Sequence, residues 1–217
     1  MVQILTSPPI ARPITTPVLG DVVHDLTPDG QKVMFWENGN HAVGIAVPTN
    51  LWDGGCTFKA KLYGTSSLTS LNRIFNCGEY ILSLTQESAG TWKIQLTADF
   101  DTTNGIWITN TRPFVEDVIN DLEVIYDSGD TANDPVIKVN GSTIAITELS
   151  TPVGSASANG TEFIIGNNTA PSGIRPFAGY IWDVSLKNTY YGGNGVESRN
   201  WNGATVYNNP SARYILP

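Results

Sequence analysis

Apolar and polar residues alternate with a period of two along most of the chain, and the helical period of 3.6 is almost missing. The alternation comes in short runs: 32–36, 42–48, 56–64, 73–78, 80–86, 92–99, 105–110, 121–127, 136–141, 142–149, 161–167 and 180–188. Turn residues separate them every eight to twelve positions, the rhythm of an all-β protein with two packed antiparallel sheets rather than a parallel α/β fold. Asn140-Gly141 lies between two alternating runs and predicts a tight hairpin, and Gly90 in "ESAGTW" can turn the chain between two others. The loop "YDSGDTANDP" ends in a proline, where a strand can begin but a central ladder cannot continue. In "RPFAGYIWDVSLKN" the alternation slips by one at Trp182 and Asp183, which predicts a β-bulge in a late, closing strand. Gly179 would there permit close backbone approach, and Phe177, Ile181, Val184 and Leu186 would face the interior.

Both ends break this rhythm. Residues 1–30 carry prolines at 8, 9, 13, 17 and 28 among Ile4, Leu5, Ile10, Ile14, Val18 and Leu19. That pattern reads as an extended arm, too apolar for a solvating tail and better suited to docking on a partner. The run of alternating strands occupies 31–190. Residues 191–217 mix Gly and Asn with Trp201, Tyr207 and Tyr214 and are expected to pack on the sandwich or on a partner.

Charge narrows the functions. The net charge of −8, from 12 basic and 20 acidic residues, disfavours a nucleic-acid surface and an anionic membrane surface. No apolar run approaches the roughly 20 residues that span a bilayer. The N-terminus has no basic segment followed by an uninterrupted apolar core, so no secretory leader is expected. Cys56 and Cys77 could pair, but the free, buried reading is preferred, and no spacing suits zinc. His24 and His41 have no nucleophile motif beside them.

Five motifs in sequence order resemble those of the laminin-G-like, concanavalin A-like lectin/glucanase family. They are the aromatic-Asn-Gly start at Phe35 to Val43, "VIYD" at Val124 to Asp127, "VNG" at Val139 to Gly141, "IIGN" ending at Asn167, and "FAGYIWDV" at Phe177 to Val184. The resemblance covers about residues 32–188 and implies a two-sheet antiparallel jelly-roll sandwich with an extended N-terminal arm.

Glucanases of that family use a Glu-x-Asp-x-Glu strand that puts its acids on one face. No such triplet exists here. Glu116, Asp117, Asp121 and Glu123 read as spread over both faces and a turn, so no enzymatic activity is expected. No motif demands a cofactor. Calcium is the one ion that the resemblance raises, with Asp127, Asp130, Asn133 and Asp134 ahead of Asp99, Asp101 and Asn104 as its oxygen ligands. Aromatic platforms and amides suited to a sugar are Trp36, Asn38, Asn40, Trp107, Asn110, Asn167 and Trp182, although each tryptophan taken alone reads better as core. The three sequons, at Asn140, Asn159 and Asn167, carry little weight without a secretory route.

A lectin-like domain, no leader and a Pro-rich arm fit together in a bacteriophage virion protein, a capsid decoration or tail appendage released by lysis. Its expected partners are other virion proteins through the arm, surface glycans, and copies of itself, a trimer suiting an appendage. A ligand-free cement protein, a soluble carbohydrate-binding module and a divergent glycan hydrolase are the alternatives.

Overall fold

The computed structural model describes residues 22–26, 32–36, 42–69, 71–167, 175–187, 189–192, 205–207 and 214–215. Every element among them is a strand. One sheet joins β1 (Val22–Leu26), β2 (Lys32–Trp36), β4 (Cys56–Gly64), β10 (Ile119–Tyr126), β11 (Val136–Val139), β12 (Ser142–Ile144), β15 (Gly179–Leu186), β16 (Thr189–Gly192) and β18 (Tyr214–Ile215). The other joins β3 (Ala42–Ala46), β5 (Arg73–Cys77), β6 (Tyr80–Ser88), β7 (Thr91–Ala98), β8 (Gly105–Thr109), β9 (Phe114–Val115), β13 (Ile146–Ser150), β14 (Glu162–Ile165) and β17 (Thr205–Tyr207). The first sheet runs β12-β11-β10-β4-β15-β2-β1-β18 and the second β13-β8-β7-β6-β5-β14-β3-β17. This is the expected two-sheet antiparallel sandwich, with a single parallel pairing among the described strands, β1 to β18.

Three strands fall inside the terminal segments, β1, β17 and β18, the first and last paired with each other. Val22–Leu26, within the stretch read as arm, pairs with β2, and β17 pairs with β3. A finer difference lies at 142–149. The run reads as one strand, but its first half pairs with β11 in one sheet and its second half with β8 in the other, and the chain crosses the sandwich at Ala145.

Between the sheets an aromatic cluster fills the core. Phe75 packs against Phe163 with ring centroids 4.6 Å apart and against Phe58 at 5.0 Å. Phe177, Ile181, Val184 and Leu186 line the interior as the late strand's pattern requires. At the slip, the β15–β4 register shifts between Trp182 and Ser185 and Asp183 takes φ 51°, so the bulge is present. The 140–141 hairpin is tight, with both residues at positive φ.

Cys56 and Cys77 are free buried thiols. Burial is the main force pushing Cys56 up to about 11 and Cys77 up to about 12. A thiol kept protonated and covered is a poor nucleophile. Native protein at pH 8 is therefore expected to react with Ellman's reagent at neither cysteine, and two thiols should appear only after urea is added; prompt native labelling would contradict the buried placement.

Candidate functional site at the sandwich rim

Three loops meet at one end of the sandwich, and two side chains hold them together. Asn159, on the connection from β13 to β14, is buried. Its Oδ1 accepts the Leu51 N–H at 2.8 Å, and its Nδ2 donates to the carbonyls of Pro48 and Gly160, each at 2.8 Å. It thereby fixes the loop between β3 and β4. Asp127, just past β10, accepts at Oδ1 from Gly54 N–H at 3.1 Å and Gly129 N–H at 2.9 Å, tying the same loop to the β10–β11 connection.

From the middle of the first loop, Trp52 drops into the core. It stacks on Phe75 and on Tyr80, each at 5.6 Å, and is 1% exposed. The Tyr80 hydroxyl donates to the carbonyls of Asp99 and Ser157. Above these two rings the loops leave a pocket of about 260 Å³, whose wall includes Asn50, Asp53, Ser128, Ser157 and Asn159. Trp52 lines it as well, and its Nε1 is buried with no hydrogen-bond partner. Asn50 and Asp53 are exposed, and no hydrogen bond to their side chains occurs among the described residues. The wall thus sets uncommitted amide and carboxylate groups above buried aromatic rings, a mixture suited to a small polyhydroxylated ligand. Trp52 and Asp53 escape the strand pattern because "NLWDGGC" is a loop with no alternation to assign its tryptophan a face.

The residues singled out from the sequence are dispersed. Trp107 is fully buried and donates from Nε1 to Asp134 at 2.7 Å. Trp182 is also fully buried, and its Nε1 has no partner, although its register opposite Lys61 puts it on the outer side of its sheet. Neither ring is open to stack on a sugar. Asn167 is buried, whereas Asn110 is exposed and its Oδ1 accepts the Thr147 hydroxyl. Trp36 stands on β2 opposite Gly179, and Asn38, Asn40 and His41 lie outside the described residues. Of the three sequons, Asn159 and Asn167 are buried and Asn140 is exposed.

The acidic loop also divides its work. Asp127 braces two loops, Asp130 accepts the Ala132 N–H at 2.9 Å, Asn133 donates to the Asp127 carbonyl at 3.2 Å, and Asp134 serves Trp107. Among the described residues no three His, Cys, Asp or Glu side chains converge where they could hold a metal ion.

The acids of β10 need a correction. Asp121 and Glu123 are two residues apart on one strand, and both face outward because Leu122 and Val124 point into the core. They are not spread over both faces. Glu123 lies 3.6 Å from both Lys59 and Lys138, its register partners, while Lys61, opposite Asp121, reaches Asp183 at 3.2 Å. Together they line an outer groove of about 320 Å³ with matched charges.

The architecture is that of the concanavalin A-like jelly rolls. Searches of family models and of curated proteins return no match. Among solved structures, the chain is similar to the heptameric SAP-like pentraxin of Limulus polyphemus, at 15% identity over 70% of this chain and 71% of that one, TM-score 0.52. It is also similar to the enzymatically active domain of tailspike protein 2 from bacteriophage CBA120, at 14% identity over 82% of this chain and TM-score 0.56, and to domains LG4-5 of the mouse laminin α1 chain, at 14% over 82% and TM-score 0.51. The matched regions amount to 28% of the tailspike chain and 46% of the laminin chain. At such identities the likeness is one of fold.

Proposed function

We propose that this protein is a non-enzymatic, lectin-like surface component of a phage virion that holds a glycan in the rim pocket. The observation that carries the reading is the pocket wall: the exposed side chains of Asn50 and Asp53 offer hydrogen bonds that the fold itself does not use. A volume of about 260 Å³ suits one sugar unit rather than a long chain. The virion assignment draws its support from the Pro-rich apolar arm and from the fold shared with a phage tailspike. In this reading the arm docks on other virion proteins, and the sandwich faces outward as part of a homo-oligomer.

A glycan array probed with the full-length chain, followed by calorimetry on the best ligand, tests it. Asp53→Ala is expected to weaken that ligand at least ten-fold while leaving the melting temperature within 2 °C of wild type, since Asp53 is exposed and its side chain braces nothing among the described residues. Chelation is expected to leave affinity unchanged, because no three acidic side chains converge among the described residues. An array silent with and without calcium would instead favour the ligand-free cement role.

A further inference from the structure

A second polar feature lies on the outer face of the other sheet. Leu82 and Leu84 of β6 point into the core, so Ser83 between them points outward. Directly opposite in register stands Arg73, the first residue of β5. Such partners have Cβ atoms about 5 Å apart. On the other side of Arg73 the chain returns toward β15, and the Arg73 N–H donates to the Arg175 carbonyl at 3.0 Å. Two arginines about a hundred positions apart thus become neighbours.

Neither guanidinium has an ion-pair partner among the described residues. Burial first, and then the charge of Arg175, push the Arg73 guanidinium down to about 10, with Glu79 acting in the opposite sense. The ion pairs among the described residues involve Lys59, Lys61 and Lys138 with Glu123 and Asp183, and neither arginine. Arg73 Nε and Ser83 Oγ are buried without a hydrogen-bond partner. In a chain whose 20 acids outnumber its 12 bases, Arg73 and Arg175 bear a mutual repulsion that Glu79 offsets only in part and that a bound anion would remove.

We propose that Arg73 and Arg175 form an oxyanion site, with the Ser83 hydroxyl as a third donor, for a carboxylate, sulfate or phosphate group. The planar fork of guanidinium matches such groups two oxygens at a time. The group is either the acidic substituent of a glycan or a free ion. This site shares no residue with the rim pocket and stands or falls separately from it.

The test titrates sodium phosphate and sodium sulfate into the full-length protein against sodium chloride at equal ionic strength, with the melting temperature as the readout. The wild type is expected to show a saturable rise beyond that in chloride. Arg175→Gln, in which the backbone carbonyl that Arg73 uses is retained, should lose the saturable part. Because sulfate stabilises most proteins through exclusion, an equal rise in wild type and variant would overturn the site, as would no rise beyond chloride. Calorimetry with a uronic-acid oligosaccharide and with its reduced, neutral counterpart then distinguishes the sources. Preference for the acidic form by at least five-fold, lost in Arg175→Gln, assigns a glycan, and a response to free phosphate alone assigns the ion. Asp53→Ala should retain the anion response, which keeps failure here distinct from failure at the rim.

Discussion

Gly179→Ala is expected to cost about 4 kcal/mol or more and to leave most of the expressed chain insoluble. Gly179 has φ +148°, and a Cβ there would lie 2.0 Å from the Tyr63 carbonyl oxygen and 3.0 Å from Gly64 Cα. Both obstacles are backbone, so neither can swing aside as a flexible side chain would. Gly64 is itself confined, since a Cβ on it would meet Leu68 Cδ1 at 2.4 Å. The two glycines are register partners that let β15 close against β4 while β15 also pairs with β2. Strain at the dihedral contributes roughly 1–3 kcal/mol and the overpacking a similar amount. Gly141→Ala is the matched control: its φ of +77° is also unfavourable, but a Cβ there meets nothing within 4 Å, and a loss of about 1 kcal/mol is expected. Urea midpoints of both variants check the pair. Equal losses would mean that the close approach at Gly179 relaxes without penalty.

That glycine could be singled out from the sequence because it takes an inward position between Phe177 and Ile181 in an alternating strand, just before the strand changes phase at Trp182 and Asp183, and a slip in a period of two has few structural solutions. The same local logic found the Asn140-Gly141 hairpin and the inward placement of Phe177, Ile181, Val184 and Leu186. It did not extend to Ala145. The sequence has no turn signal at Ala145, between Ile144 and Ile146, and only the partners, Ile137 in one sheet and Ile108 in the other, reveal that the strand has divided. Pairing partners are a tertiary choice with no local mark. The rim was hidden for a related reason: Trp52 lies in a loop, where periodicity assigns no face, and its anchoring depends on Asn159, more than a hundred residues away. The tryptophans that composition recommended, Trp107 and Trp182, are fully buried, because a large ring on a strand gains most by leaving water.

Asn159 carries the second large effect. Asn159→Ala is expected to destabilise by about 3 kcal/mol or more, as it strands the Leu51 N–H and the Pro48 carbonyl and leaves a small void beside Cys77. Rim binding should fall with it even at temperatures where the variant stays folded, since the loop bearing Asn50, Trp52 and Asp53 loses its brace. Asn159→Asp separates the two contributions. The aspartate keeps the acceptor for Leu51 but turns an oxygen toward the two carbonyls that Nδ2 now serves. Burial and those carbonyls would raise its folded-state pKa above the unfolded value of about 3.9. A raised carboxyl pKa favours the folded state while the group is protonated, so the penalty relative to wild type should be smallest near pH 3. It should grow as pH rises past 3.9 and level off above the raised folded-state value. Urea denaturation of wild type and variant from pH 3 to pH 8 measures that difference directly. A penalty independent of pH would show that the new carboxylate escapes to water, and that the rim loops are held by something other than Asn159.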